Sequence, residues 1–393
     1  MTPYTKHTVL LTGSTGSLGG CLLYKLTLQL PCPKIYVLIR TTPAIAQSKW
    51  HKTMPSHAPA MLQTNKIHYV AGDIRQPNFG IDPGTLRELQ EQVTLVIHAA
   101  AKIKLDAWVV EAIENNCLPA LELASMAGRF RRLRLFVQIS TAYVNSFLED
   151  GWVGERLYTT LTVTLDPVPD PEEELTTILT TSTSPNTPLF SSTYTQAKHL
   201  MERLLLSRHP TLPLLLLRPT IFGPALRTPY PLYGPEDSTP LRKFATLFFS
   251  DLHGTQTWHA ASGHTSGANI LDEIPVDFVA NGCLLHAAAL TTGIVHIGSQ
   301  LYVPITFDDV LELIRKHAPP EVRGLLPKVV FVQDRAVEQS FLAELVKVGT
   351  RHWVFDCGRS YWVLGVGGGL GFQACVGEAE RLNRWRVEQV VEK

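Results

Sequence analysis

Thr8-Val-Leu-Leu-Thr12-Gly13-Ser14-Thr15-Gly16-Ser17-Leu18-Gly19 decides the fold. An apolar run reads as a first β-strand, and Cys21 to Leu30 behind the turn reads as a helix stopped by Pro31. Between them the glycines fall as Gly13-x-x-Gly16-x-x-Gly19. The first permits a tight turn, the second lets backbone approach a pyrophosphate, and the third lets the helix pack closely on the strand. Ser14, Thr15, Ser17 and Leu18 complete the cradle, whose helix N-terminus offers amide donors and a positive dipole to phosphate. Strand before and helix after is the context that gives a bare glycine pattern meaning.

Outward from this turn, short apolar runs alternate with helical patterns. Strands are expected at Lys34 to Ile39, ending at Arg40, and at Ile67 to Ala71, ending at Gly72-Asp73-Ile74. Val93 to His98 ends in Ala99-Ala100-Ala101, and a helix follows over roughly Trp108 to Ala127. Leu133 to Ile139 ends at Ser140-Thr141, and Leu214 to Leu217 at Arg218-Pro219. This alternation predicts an α/β fold with a doubly wound parallel Rossmann sheet. The unusual residues sit at strand carboxyl ends, where ligands bind in such a sheet.

Residues 1–225 are expected to form the dinucleotide-binding domain, with segments near 266–300 returning to it. Residues 226–393 are expected to form a smaller C-terminal substrate cap. Asn145 to Ser192, with its acidic Pro/Thr/Ser-rich middle, reads as a mobile excursion or part of a lid. Gly223 to Gly267 reads as a second irregular stretch, before a helix opening at Glu273. The glycine cluster Gly365 to Gly371 lacks the phosphate-turn spacing and reads as structural.

Lys+Arg and Asp+Glu both number 35, so no basic excess points to nucleic acid. The six cysteines show no paired spacing, which favours reduced thiols in a cytoplasmic compartment over a disulfide framework or metal site. No apolar signal core opens the chain. Ser360 to Gly377 is uncharged, but its glycines suit buried or loop-like chain better than a membrane helix. No integral membrane segment is expected.

Tyr194-Thr-Gln-Ala-Lys198 carries the chemistry. On a helix, residues four apart share a face, so phenol and ammonium point the same way. The ammonium, aided by cofactor ribose, is expected to stabilise phenolate and lower the tyrosine pKa, so that the phenol passes a proton to, or polarises, a carbonyl receiving hydride. Thr141, or Ser140, would donate a second hydrogen bond to that oxygen. Arg40 stands where NAD-preferring folds place an acid, which favours NADPH with its 2′-phosphate. Asp73, with Ile74 beside it, is expected to bind the adenine edge or cap its own loop. Ala99 to Ala101 are small where a dinucleotide would lie. Asn116 is expected to support the strand turns or an active-site water. The backbone of Pro219-Thr220-Ile221 would hold the nicotinamide carboxamide. The histidines match no metal or Ser-His-Asp pattern.

These motifs resemble the extended short-chain dehydrogenase/reductases. More narrowly they are similar to the NAD-binding domain of fatty acyl-CoA reductases, the male sterility family, and to thioester reductases. The resemblance covers about residues 8–300. It rests on Thr12 to Gly20, Gly72-Asp-Ile-Arg-Gln-Pro-Asn-Phe-Gly80, His98 to Lys102, Asn116 and Ser140-Thr-Ala-Tyr-Val-Asn145. It continues in Gly154-Glu-Arg-Leu-Tyr158, Ser192 to Lys198, Arg218-Pro219 and Ile274-Pro-Val-Asp-Phe-Val-Ala-Asn281. Ser17 departs from the aromatic residue common there, and the chain after Leu301 matches poorly. The resemblance implies Thr141, Tyr194 and Lys198 as a catalytic triad. It also implies reduction of an acyl thioester, held on CoA or an acyl carrier protein, to an aldehyde and conceivably on to an alcohol, in lipid or secondary metabolism. An alcohol dehydrogenase or ketoreductase acting on a free terpenoid or steroid shares the triad and stays open. So does a non-catalytic NADP-binding regulator, although such a protein has little need of both Tyr194 and Lys198.

Overall fold

A computed structural model describes residues 4–160, 170–234, 239–250, 252–345, 351–374 and 376–391. In chain order its strands are β1 (Thr8–Thr12), β2 (Lys34–Ile39), β3 (Ile67–Ala71), β4 (Leu95–His98) and β5 (Leu135–Ile139). There follow β6 (Gly151–Val153), β7 (Leu214–Pro219), β8 (Ile221–Gly223), β9 (Thr255–His259) and β10 (Glu273–Pro275). The last are β11 (Gly293–Ile297), β12 (Lys328–Val332) and β13 (Trp353–Phe355). Seven form one parallel sheet in the order β11-β7-β5-β4-β1-β2-β3. The chain winds outward from β1 to β3, then restarts at β4 on the other side. The strand order therefore reverses between β1 and β4, and a crevice opens above their carboxyl ends.

Both sheet faces are dry, which explains strands that read as unbroken apolar runs. Leu10, Val96, Phe136 and Leu216 pack with the helices Val109–Asn116, Leu118–Ala127 and Thr193–Arg208. Val9, Leu11, Ile97, Val137 and Leu217 face the helices Ser17–Tyr24 and Val276–Ala289.

Several sequence expectations need correction. The helix expected over Trp108 to Ala127 is two helices broken at Cys117, because Pro119 cannot continue the upstream hydrogen-bond ladder. The stretch read as an irregular excursion holds the helix Pro171–Thr181. Asp170 caps it, Pro171 opens it, and Leu175 and Ile178 are buried. The first four residues of the acidic Pro/Thr/Ser-rich middle, 166–169, lie outside the described residues. Gly223 to Gly267 is also more regular than expected, with the helix Pro240–Ser250 and β9.

The cap has its own core, in which Phe244, Phe248, Trp258 and Phe307 pack ring on ring. It is discontinuous. Residues after Leu345 do not all belong to it, contrary to a simple division at 226. β13 pairs with β6, and Cys357, Val363 and Phe372 join the main core. Arg359 donates to the carbonyls of Ile294 (2.6 Å) and Thr292 (2.7 Å), covering the edge that β11 would expose. The glycine cluster is structural, as expected: its Gly371 carbonyl accepts from Asn281 Nδ2 at 3.0 Å. Among the described residues, no helix is long and apolar enough to cross a membrane.

The deepest polar contact joins the Thr193–Arg208 helix to β7. Glu202 and Arg218, both wholly buried, meet through Nε at 2.9 Å and Nη2 at 2.5 Å. Arg218 Nη1 also donates to the Arg156 carbonyl at 3.0 Å. Removing one partner leaves the other charge buried and uncompensated. Glu202→Ala is expected to lower unfolding free energy by about 3–5 kcal/mol in chemical denaturation. A loss below about 1 kcal/mol would mean that Arg218 finds another partner.

Candidate active site

The glycine turn is built as its sequence requires. Gly13 has φ +74°, and a Cβ there would lie 2.7 Å from Ala100 N and 2.8 Å from the Ala99 carbonyl carbon. A Cβ on Gly19 would fall 2.1 Å from Gly13 O. Turn, helix and the Ala99-Ala100 strip are thus pressed together without room for side chains. Gly16 caps the Ser17–Tyr24 helix with no side-chain bond, so the first-turn amides, Ser17, Leu18 and Gly19 among them, lack a capping side chain. Trp50 Nε1 holds the Ser14 carbonyl at 2.9 Å, and the Tyr233 hydroxyl donates to the Ser17 carbonyl at 3.0 Å. Ser14 Oγ is buried without a partner, beside Thr15 in the turn. A cradle that Cβ atoms would fill, with an orphaned hydroxyl and helix-terminal amides, fits a dinucleotide pyrophosphate.

At the topological switch, Thr12 Oγ1 accepts from the Ala100 amide at 3.1 Å and bonds His98 Nδ1 at 2.7 Å. Burial, aided by the nearby Lys198 ammonium, pushes His98 down to about 3, so its imidazole is neutral. It staples β1 to β4. Arg40 is exposed at the end of β2. Asp73 caps its own loop, one of its two expected roles: its carboxylate accepts from Arg75 N at 3.1 Å and Arg75 Nη2 at 3.0 Å. The Arg75 guanidinium holds that carboxyl below its ordinary range. Ile74, half-buried, packs against the core on the same side as Leu10. Asn116 Oδ1 accepts from the Lys102 amide at 3.0 Å while Nδ2 donates to the Lys102 carbonyl at 3.2 Å. Asn116 therefore holds the loop after Ala101. At Pro219-Thr220-Ile221 the amides of Thr220 and Ile221 are committed to Ile297 O (3.0 Å) and Asp272 O (3.2 Å). That turn has no N–H donors left for a carboxamide.

Ser192 opens the Thr193–Arg208 helix through a capping box with Thr195. One turn on, Lys198 Nζ donates to the Ile139 carbonyl at 3.0 Å, the last residue of β5. This bond brings the helix carrying Tyr194 against Ser140 and Thr141. A second tie, Ser146 Oγ to Thr195 Oγ1 at 3.4 Å, fixes the same junction. Ser140 Oγ is buried without a partner, and Thr141 Oγ1 accepts from the Tyr143 amide at 3.3 Å.

Burial pushes Lys198 down to about 8, while the Glu202 carboxylate opposes the fall. The Tyr194 phenol by itself is not acidified. Burial raises it, and Lys198 Nζ, 5.9 Å from its ring centroid, is turned to Ile139 instead. The phenol stays protonated, which suits a proton donor.

Two acidic residues inside the stretches that carry the resemblance have supporting roles that spacing alone does not reveal. Glu155 accepts from the His296 and Arg359 amides, each at 2.8 Å, which accounts for its place in the Gly154-to-Tyr158 stretch. Asp277 accepts from the amides of Leu226 (3.0 Å), Arg227 (2.9 Å) and Thr228 (3.1 Å). Its acidic side chain just after Pro275 was the available signal, since helix first turns favour acids.

A parallel sheet with this strand order, a glycine-turn crevice and a Tyr-x-x-x-Lys helix defines an extended short-chain dehydrogenase/reductase fold for a nicotinamide dinucleotide. Within that class the chain belongs to the male sterility protein family, whose sequence profile matches residues 11–283. Chicken (Gallus gallus) fatty acyl-CoA reductase 1 is 27% identical over 314 residues, covering 74% of this chain and 56% of that protein. The mouse (Mus musculus) fatty acyl-CoA reductase 2 is 29% identical over 58% of this chain and 45% of its own length. The chain thus spans about half the length of these curated relatives. Among solved structures, the terminal R domain of the myxalamid PKS-NRPS biosynthetic pathway superposes with TM-score 0.65. It is 20% identical and covers 97% of this chain and 90% of its own.

Gly19→Ala forces backbone apart at the turn. It is expected to cost about 1–3 kcal/mol of stability and to shrink the rise in melting temperature that a saturating nicotinamide dinucleotide gives the parent protein. An unchanged rise would place the dinucleotide elsewhere.

Proposed function

We propose that this chain is an NADPH-dependent reductase of acyl thioesters, held on CoA or on a carrier's pantetheine thiol. One observation carries the reading: the Lys198–Ile139 bond that sets the Tyr194 helix against Ser140 and Thr141 above a glycine-turn crevice. Membership of the male sterility family and the named activity of the chicken and mouse relatives support the substrate class. The R domain's shared fold is compatible with a carrier-bound substrate.

The nicotinamide group, when bound, supplies hydride. Gly13 to Gly19 would hold its pyrophosphate, and exposed Arg40 would meet a 2′-phosphate. Tyr194, whose phenol desolvation raises, delivers its proton to the carbonyl oxygen as that oxygen gains charge. The hydroxyls of Ser140 and Thr141 have protons to aim at the same oxygen. Lys198 keeps the helix on β5 and brings positive charge to the site while protonated. A carbonyl carbon that has gained hydride, with its oxygen protonated, is a hemithioacetal. Its C–S bond then breaks, the sulfur leaves as thiol, and an aldehyde remains. The five described cysteines are free and buried, which supports a reducing, cytoplasmic setting.

Incubation with NADPH and an acyl-CoA is expected to release one free thiol per cofactor oxidised. Tyr194→Phe should lower kcat at least about a hundredfold with NADP+ affinity nearly unchanged. Cofactor oxidation on a free ketone without thiol release would identify a ketoreductase instead. Cofactor binding without turnover on any carbonyl would identify a regulator.

Arg40→Ser tests cofactor choice. It is expected to raise KM for NADPH by about tenfold or more, the worth of a charge-assisted pair to phosphate, and to leave KM for NADH unchanged. Equal effects on both cofactors would remove Arg40 from the 2′-phosphate.

A further inference from the structure

Residues 102–108, between β4 and the Val109–Asn116 helix, expose three large apolar side chains at the crevice. Ile103 is 63% exposed, Leu105 58% and Trp108 78%. Their density sets them apart from the isolated exposed apolar residues of an ordinary surface.

The loop is not loose, because both its ends are gripped by site residues. Asn116 holds the Lys102 amide and carbonyl from one side. At the other end the Thr193 hydroxyl donates to the Ala107 carbonyl at 2.9 Å. Thr193 immediately precedes Tyr194. The loop therefore leaves the Ala99–Ala101 strip beside the glycine turn and ends against the first turn of the catalytic helix. Its apolar side chains are thus carried on chain that joins the glycine-turn strip to the residue before Tyr194.

Charge on the loop argues for the occupant. Lys102 Nζ lies 2.6 Å from Glu111 and Lys104 Nζ 3.8 Å from the same carboxylate. With Asp106 included, two positive charges face two negative ones. An anionic membrane surface or an acidic protein partner needs a basic excess that this lip lacks. An uncharged hydrocarbon does not.

We propose that Ile103, Leu105 and Trp108 form an apolar lip that receives the acyl chain of the substrate and sets the enzyme's preference for long chains. The inference rests on the reductase reading for its substrate class. It identifies which residues distinguish one acyl thioester from another.

The test compares palmitoyl-CoA with butyryl-CoA in two readouts. One is kcat/KM with NADPH, and the other is equilibrium binding to the NADP+-bound protein. Ile103→Ser/Leu105→Ser and, separately, Trp108→Ala are expected to weaken palmitoyl-CoA at least about tenfold in both. Butyryl-CoA should stay within about twofold. All three side chains are exposed, so melting temperature should not change. Parallel losses for both substrates, or none for either, would overturn the inference. So would parent protein sedimenting with phosphatidylcholine vesicles in a manner abolished by Trp108→Ala, which would assign the lip to a membrane surface. The two readings fail separately. Loop-dependent palmitoyl-CoA binding without turnover rejects the reductase and keeps the lip. Turnover with a loop-independent chain preference rejects the lip alone.

Discussion

The bond from Lys198 Nζ to the Ile139 carbonyl is the constraint on which the rest of the site depends. It ends β5 and begins the active surface at a single point. Without it, Ser140 and Thr141 would be strand-end residues of no particular use, and Tyr194 an ordinary tyrosine at a helix start. Four residues along the same helix, Glu202 meets Arg218 at the end of β7. The helix is thereby held against two adjacent strands, β5 and β7, by buried polar contacts one turn apart. Apolar packing alone can slide along a helix face, whereas charged contacts of this kind fix register.

Much of this was legible in the sequence because it rests on local rules. Gly13, Gly16 and Gly19 announce a backbone that no side chain tolerates, and the apolar runs announce strands buried on both faces. Tyr194 and Lys198 share a helical face by spacing alone. What stayed hidden depends on partners distant in sequence. Nothing local says that Lys198 will bond the carbonyl of Ile139 rather than acidify Tyr194. Nothing local says that Arg359 will cover β11, or that Asp73 will be taken by Arg75. The helix Pro171–Thr181 was missed for another reason. Its Pro, Thr and Asp content suggests loop, yet Asp170 and Pro171 are helix-opening residues, and Glu174 pairs with Arg203 on the catalytic helix at 2.5 Å.

The discontinuous cap follows from the same economy of edges. A seven-stranded sheet has two open sides, and β11 is one of them. Residues 353–372 leave the cap to reach the main core, where Arg359 takes up carbonyls along that edge and β13 pairs in parallel with β6. The final helix then returns to the cap, where Arg386 meets Glu273 in a buried pair at the start of β10. Cap and sheet are cross-stitched by chain that visits both, so the crevice between them has walls fixed from either side.

The protonation states follow from the same packing. Desolvation raises the Tyr194 phenol and so favours its neutral form, because a low dielectric penalises phenolate. A buried ammonium loses charge for the same reason, and Glu202 only partly restores it to Lys198. His98, neutral and bonded to Thr12, adds no competing charge. The site therefore begins with a proton on Tyr194 and donors at Ser140 and Thr141. A group that must accept a proton as it accepts hydride finds its partner already in the required state.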